Sequence, residues 1–149
     1  VGCMNTADRS IALLDQAHRE RRVYALLCFD SQVKFEAVVK PAEPLPENGL
    51  FVACAGGTEI GTAVGRGLEI IGAHQGQLKK ADLVLVTDGG SDASSAPALR
   101  ESARRLDVTI LGLGIGVERE WLAPWCDNIE VVSDLNTIDG SAAEKLFAA

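Results

Sequence analysis

The sequence predicts an α/β fold built on a doubly wound, mostly parallel sheet. Two observations carry this prediction: short apolar strand patterns alternate with helical patterns along the chain, and the apolar run at residues 83–86 is followed by Thr-Asp-Gly-Gly. Strands that alternate with helices are joined by right-handed crossovers, which places them in a parallel sheet with helices on both faces. A buried strand that ends in a carboxylate delivers it to the edge where open α/β folds hold their sites. Asp88 is therefore the first candidate site residue.

Hydrophobic periodicity predicts where the individual elements lie. Apolar residues at every third or fourth position predict helices at residues 7–18, 60–71, 99–106, 118–125 and from 141 onward. Apolar runs and alternating patterns predict strands at residues 23–29, 33–39, 83–87, 108–113 and 129–132. The first two strands are separated by Asp30, Ser31 and Gln32, which indicates a turn and hence a hairpin. Trp121 and Trp125 fall on the short predicted helix, where we expect them to be half-buried packing residues, with a place at an interface as the alternative.

Composition bounds the class of protein. A chain of 149 residues with 47% hydrophobic content is long enough for one domain, residues 1–149, with a buried core. Lys and Arg total 14 against 21 Asp and Glu, so the net charge of -7 disfavours nucleic acid and anionic membranes as partners. Apolar runs are too short to span a bilayer and no signal-peptide pattern is evident, so we expect a cytoplasmic protein. The four cysteines include no Cys-x-x-Cys pair, which disfavours a zinc ribbon or a thioredoxin motif.

A second polar segment, Gly56-Gly57-Thr58, opens a helical pattern upstream of Asp88. If this segment reaches the same sheet edge as Asp88, the two form one polar site. Each residue also has a purely structural interpretation. Thr58 would be the N-cap of its helix, worth about 1 kcal/mol, and Asp88 would initiate the glycine turn that follows it. Ser91, in the loop beyond, is either solvated or in contact with the site.

Signals for catalysis are few. Gly112, Gly114 and Gly116 follow a predicted strand, but Val117 stands where the dinucleotide fingerprint requires a third glycine. The chain has neither a Gly-x4-Gly-Lys phosphate loop nor a Gly-x-Ser-x-Gly nucleophile elbow. An enzyme would therefore be a metal-assisted hydrolase or a phosphoryl-transfer enzyme that uses Asp88 as a metal ligand. The sequence offers such an enzyme no evident general base or nucleophile.

Three segments together carry a family resemblance: Gly56-Gly57-Thr58, the strand and turn at residues 80–89, and Trp125-Cys126-Asp127. With them the chain resembles a von Willebrand factor A (VWA) domain over residues 2–147, and more narrowly the bacterial intracellular type that works with AAA+ ATPases of the MoxR class. The resemblance implies a Rossmann-like sheet with one antiparallel edge strand, which the hairpin would supply. It also implies a non-enzymatic interaction module whose partner is a MoxR-type AAA+ ATPase.

The resemblance further implies a metal-ion-dependent adhesion site for Mg²⁺ or Mn²⁺. Thr58 and Asp88 match the Thr and the last Asp of its ligand pattern, and Cys3 would stand where a Ser belongs. Because hard divalent cations bind oxygen ligands and a thiol is a poor ligand for them, we expect weak metal binding or none. Asp30 and Ser31 are further oxygen donors that this edge would recruit if a metal is held. The partner-binding edge implied in this way consists of Gly56, Gly57, Thr58, Asp88, Gly89 and Ser91.

In VWA domains the first strand is central in the sheet and carries the opening ligands of the metal site. In this sequence that strand would precede residue 1, so we expect the 149 residues to be a fragment of a longer polypeptide. A sheet with an empty centre would leave two rows of backbone groups unpaired. We therefore expect either a further strand between the strands at residues 23–29 and 83–87 or direct pairing of the two.

Overall fold

The computed structural model describes residues 19–20, 22–41, 43–44, 56–76 and 81–133. The elements within these residues are, in chain order, β1 (Tyr24–Phe29), β2 (Val33–Val39), α1 (Ile60–Ala73), β3 (Asp82–Thr87), α2 (Ala96–Arg105), β4 (Thr109–Ile115), α3 (Arg119–Leu122) and β5 (Asn128–Val132). The predicted mixed α/β class is confirmed. The helices predicted at residues 7–18 and from 141 onward, together with Cys3, lie outside the described residues.

The predicted hairpin is present. Strands β1 and β2 pair antiparallel, with Tyr24 opposite Val39 and Cys28 opposite Phe35. The connecting turn is closed by the backbone amide of Asp30, which donates to the carbonyl of Gln32 at 3.0 Å. The turn chemistry predicted from the sequence therefore sets the register of the pair.

The other described strands form a parallel sheet in the order β3-β4-β5. Leu85 of β3 lies opposite Gly112 of β4, and Leu113 of β4 lies opposite Glu130 of β5. The chain passes from β3 to β4 through α2 and from β4 to β5 through α3. Strand β4 is central in this sheet and buried on both faces, as an uninterrupted apolar run predicts.

The largest hydrophobic cluster of the described residues lies between the parallel sheet and all three helices, α1, α2 and α3. From α1 it takes Ile60, Val64 and Leu68, which recur at helical spacing on one face. Leu85 of β3 is 3% exposed and Trp125 is 1% exposed, and both belong to the same cluster. The helix face predicted from periodicity is thus the face that covers the sheet.

Helix α1 packs against both β1 and β3. The guanidinium of Arg66, a residue of α1, also makes a bidentate ion pair with Glu36 of β2, with N–O distances of 2.7 and 2.8 Å. Within the described residues, however, β1 and β3 are not hydrogen-bonded to each other, and the hairpin and the parallel sheet are separate. Direct pairing of these two strands, the alternative to a further strand between them, is therefore not observed there.

Two element boundaries differ from the prediction. The helix expected at residues 118–125 is reduced to Arg119–Leu122, because Pro124 has no amide hydrogen to donate and the chain turns so that the Trp125 amide bonds the carbonyl of Leu122 at 2.9 Å. Strand β4 instead continues past the predicted end at residue 113 to Ile115. In the part of the chain that the structure describes, no helix is both long and apolar enough to cross a membrane.

Candidate functional site

The N-terminus of α1 holds three chain segments together at one edge of the molecule. The backbone amide of Glu59 donates to the carbonyl of Asp30 at 2.8 Å, which ties the helix start to the end of β1. The next amide, that of Ile60, donates to the hydroxyl of Ser91 at 3.2 Å, which ties it to the loop after β3. The carboxyl ends of β1 and β3 therefore meet at this edge, as they do in α/β sites.

Thr58 contacts Gly89, the residue that follows Asp88, so the two polar segments of the predicted site lie side by side. A Cβ on Gly89 would lie 2.7 Å from Oγ1 of Thr58, so the absence of a side chain on Gly89 allows this approach. The buried hydroxyl of Thr87 fixes the loop, since it donates to the Gly89 carbonyl at 2.9 Å and accepts from the Gly89 amide at 3.1 Å. The contact brings Thr58 beside the residue that follows Asp88.

The capping interpretation of Thr58 is wrong. The N-cap of α1 is Glu59, whose Oε1 accepts from the Gly61 amide at 3.3 Å. Ser91 supplies a second acceptor to the same helix end through its bond from Ile60. Because these two side chains satisfy the first amides of α1, Thr58 is not needed as a cap.

The carboxylate of Asp88 is exposed. Hydrogen bonds that close the following turn come from Thr87, not from Asp88. Across the described residues, the Asp88 side chain makes no hydrogen bond or ion pair. The turn-initiating interpretation of Asp88 therefore has no support, and the side chain faces outward at the edge.

Asp30 reaches the same edge but differs from Asp88 in its surroundings. It is 5% exposed, and its Oδ1 accepts from the Gln32 amide at 3.0 Å and from the Ser31 hydroxyl at 3.3 Å. Its Oδ2 lies 3.5 Å from Nζ of Lys34. A Cβ on Gly56 would lie 3.0 Å from Oγ of Ser31, so the diglycine segment passes directly over this turn. The sequence signal for this position is the Asp-Ser pair that directly follows an apolar strand. From it we predicted Asp30 and Ser31 only as additional oxygen donors.

The donor set for a divalent cation is incomplete within the described residues. Thr58 and Asp88 bring a hydroxyl and a carboxylate to neighbouring loops, whereas a near-octahedral Mg²⁺ shell needs about six oxygens, some of them from water. The Asp30 carboxylate already accepts hydrogen bonds and pairs with Lys34. In residues 19–133, leaving aside the undescribed gaps, no group of three or more His, Cys, Asp and Glu could hold a metal ion. The expectation of weak metal binding or none thus stays a prediction.

Sequence reasoning missed the place of Trp121 at this edge. A Cβ on Gly90 would lie 2.7 Å from Cε3 of Trp121, so the indole lies directly against the Gly90 backbone. Trp121 is nevertheless 50% exposed, whereas Trp125 is 1% exposed. The expectation that both are half-buried is therefore wrong for Trp125, which occupies the core. Gly90 and Trp121 are far apart in the sequence and meet only in the folded chain, so no local sequence pattern predicts their contact.

The glycines that suggested a nucleotide loop have a packing role. Gly112 and Gly114 lie within β4, not in a loop between a strand and a helix. A Cβ on Gly112 would lie 2.7 Å from Sγ of Cys126, and one on Gly114 would lie 2.6 Å from Cγ2 of Val117. The glycines thus allow the segment around α3 to pack closely on the sheet.

The Trp125-Cys126-Asp127 segment anchors the opposite edge of the sheet. Arg100 donates from Nη1 to the Cys126 carbonyl at 2.7 Å and from Nη2 to the Asp127 carboxylate at 2.6 Å. The other carboxylate oxygen of Asp127 accepts from the Ile110 amide at 2.8 Å. These bonds fix the start of β5 beside β4, so the role of this segment is structural.

No protein-family model matches the chain, and no curated protein matches it.

Proposed function

We propose that this chain is a VWA-type interaction module with a Rossmann-like sheet, which acts in the cytoplasm by binding a MoxR-type AAA+ ATPase through the edge that carries Asp88. The observation that supports it most is the position of Asp88. Its exposed carboxylate directly follows β3 and makes no bond to any other described residue. A charged group that bonds no described residue is available for a partner.

The neighbouring contacts support the same proposal. Thr58 and Gly89 touch across the edge, and both belong to the motif segments that resemble VWA domains. The hydroxyl of Ser91 holds the loop after β3 against α1. The loops are therefore fixed before a partner arrives, which lowers the entropy cost of binding.

The hydrolase alternative gains no specific observation. His74, the only histidine among the described residues, is the C-cap of α1, at the far end of that helix from Asp88. Its Nδ1 lies 2.8 Å from the carbonyl of Ile70. The described edge thus offers Asp88 no histidine as a general base, so binding is the better proposal.

The test compares two exposed carboxylates at the two ends of one strand. Asp82 is the first residue of β3 and Asp88 follows its last residue, and each is replaced by Ala. Binding to a purified MoxR-type AAA+ ATPase is measured by calorimetry with and without Mg²⁺. We expect Asp88→Ala to weaken binding at least about tenfold, equivalent to about 1.4 kcal/mol, with an unchanged Tm. Asp82→Ala should retain full affinity.

A core variant separates fold from function. Leu85→Ala leaves a cavity beneath α1 and should lower the free energy of unfolding by about 2–5 kcal/mol. Normal ATPase binding by Asp88→Ala, or equal losses in Asp88→Ala and Asp82→Ala, would overturn the proposal. Dependence of the affinity on Mg²⁺ would show that a metal bridges the contact.

A further inference from the structure

Trp121 is the most exposed of the large apolar residues in the described chain. It is 50% exposed, whereas the exposed valines Val23, Val38 and Val131 are each 37% exposed. Its indole lies against Gly90, and its backbone amide donates to the carbonyl of Glu118, the N-cap of α3, at 3.1 Å. A large aromatic side chain that is packed on one side and open at the surface is typical of the anchors of protein interfaces.

The position of this ring connects it with the proposed partner-binding edge. Gly90 is separated from Asp88 by one residue, in the loop that Thr87 and Ser91 hold in place. The aromatic residue that packs in the core of this region is Trp125, which is fully buried. Core packing therefore does not account for the exposed ring of Trp121.

The two chain segments that meet where the ring lies against Gly90 are acidic. Residues 88–95 and 116–122 carry four carboxylates, all exposed, and a single basic residue, Arg119. The carboxylates are Asp88, Asp92, Glu118 and Glu120. The face of an indole also attracts cations, through the negative charge of its π system. Ring and carboxylates thus favour the same sign of charge in a partner.

We propose that Trp121 is the anchor for a basic segment of the protein partner, with an arginine side chain stacked on the open face of the indole and its guanidinium facing the surrounding carboxylates. Arginine fits better than lysine because its planar group stacks on aromatic rings and donates in several directions. This inference rests on the proposed function, since it names the chemistry that the same edge recognises. It requires no metal ion.

The experiment uses the full 149-residue chain, labelled with ¹⁵N, and two probe peptides. One has the sequence Gly-Leu-Arg-Gly-Leu-Arg-Gly with blocked ends, and the other has Glu in place of each Arg. We expect the arginine peptide to shift the indole resonance of Trp121 in a saturable manner and to leave that of Trp125 unchanged. The glutamate peptide should cause no shift, and added salt should weaken binding of the arginine peptide.

Variants test the anchor and the charges separately. Trp121→Leu keeps an apolar side chain against Gly90 but removes the π system, and we expect it to weaken binding of the arginine peptide at least about tenfold, read from calorimetry and the Gly89 amide shift. Glu120→Gln should weaken binding by a smaller factor. Val38→Ala, which removes another exposed apolar side chain from the hairpin, should have no effect.

Three results would overturn the inference: equal binding of the two peptides, unchanged binding to Trp121→Leu, or binding of neither peptide at millimolar concentration. The outcome is distinguishable from failure of the proposed function. If Asp88→Ala loses ATPase binding while Trp121→Leu keeps both ligands, the partner edge stands and the arginine anchor is wrong. If the arginine peptide binds through Trp121 but no MoxR-type ATPase binds, the proposed partner is wrong.

Discussion

The thiol of Cys126 is packed against β4, where a Cβ on Gly112 would lie 2.7 Å from its sulfur. Burial raises the pKa of Cys126 to about 12; Arg100 lowers it and Asp127 raises it, both to smaller extents. Because the thiolate is the reactive form, a thiol with this pKa should be inert at pH 8. We expect iodoacetamide to modify Cys126 only after unfolding in guanidinium, as measured by peptide mapping. Equal rates in the native and unfolded chain would contradict the buried position.

Asp92 should give the turn that precedes α2 a pH-dependent stability. Its carboxylate accepts from the hydroxyl and the amide of Ser94, and these hydrogen bonds lower the pKa of Asp92. A folded-state pKa below the unfolded value favours folding where the carboxylate is charged, above about pH 4. This contribution is lost as the pH falls through the folded-state pKa. We expect Asp92→Asn to lower the Tm slightly at pH 7 and by progressively less as the pH falls through the folded-state pKa, with Asp82→Asn as the control.

At the scale of single residues, the sequence predicted which side chains reach the edge better than it predicted their roles. Asp30 and Asp88 both follow apolar strands, and the pattern does not distinguish them. The structure shows that Asp30 is buried and hydrogen-bonded within its own turn, whereas Asp88 is exposed. The difference depends on Gly56 passing over the first turn, a contact between segments far apart in sequence. The cap at Glu59 was missed because Thr58, a stronger N-cap former, precedes it.

At the scale of elements, each described strand and helix corresponds to one predicted from periodicity. Boundaries fail where tertiary contacts decide them. Helix α2 begins at Ala96, ahead of the predicted start, because Pro97 lies in its first turn, where an amide hydrogen is not needed. Strand β4 runs on to Ile115 because β5 continues to pair with it, Gly114 lying opposite Val131. The apolar pattern of β4 contains no information about its partner β5 or about the close packing that the glycines of β4 allow.

Strand β4 should be intolerant of side chains at its glycines. A Cβ on Gly114 would lie 2.6 Å from Cγ2 of Val117 and 2.9 Å from Cδ1 of Leu122. We expect Gly114→Ala to lower the free energy of unfolding by about 1–3 kcal/mol through overpacking, measured by urea denaturation. Gly57→Ala is the matched control, because a Cβ there would meet nothing within 4 Å. Equal stability of the two variants would show that α3 can move away from the sheet at little cost.

At the scale of the whole molecule, the sequence predicted one mostly parallel sheet with an antiparallel edge strand, whereas the described residues form a hairpin and a separate three-stranded parallel sheet. The hairpin and the parallel sheet follow from turn residues and buried runs, which act locally. How the two are joined depends on α1, which packs on both β1 and β3. No local pattern encodes this relation, because it is fixed only when the apolar face of one helix spans two strands.

The space between β1 and β3 is where we expect a further strand. Both strands end at the same edge, since α1 is tied to the carbonyl of Asp30 after β1 and to the hydroxyl of Ser91 after β3. Each has one paired neighbour among the described residues, β2 and β4 respectively, which engages only one row of its backbone groups. The other rows lie beneath α1, where an unpaired amide would cost about 1–3 kcal/mol.

Hydrogen exchange tests this expectation, whichever segment or molecule supplies the strand. In a strand with one neighbour, alternate amides are hydrogen-bonded and the rest are open, whereas a strand with two neighbours protects both sets. We expect slow exchange for both sets in β1 and β3, followed by NMR at neutral pH. The edge strand β2 provides the internal control, because one of its sets should exchange quickly. The expectation of a central strand would be wrong if, in both β1 and β3, the amides that point away from the paired neighbour exchange quickly. That result would show two separate sheets.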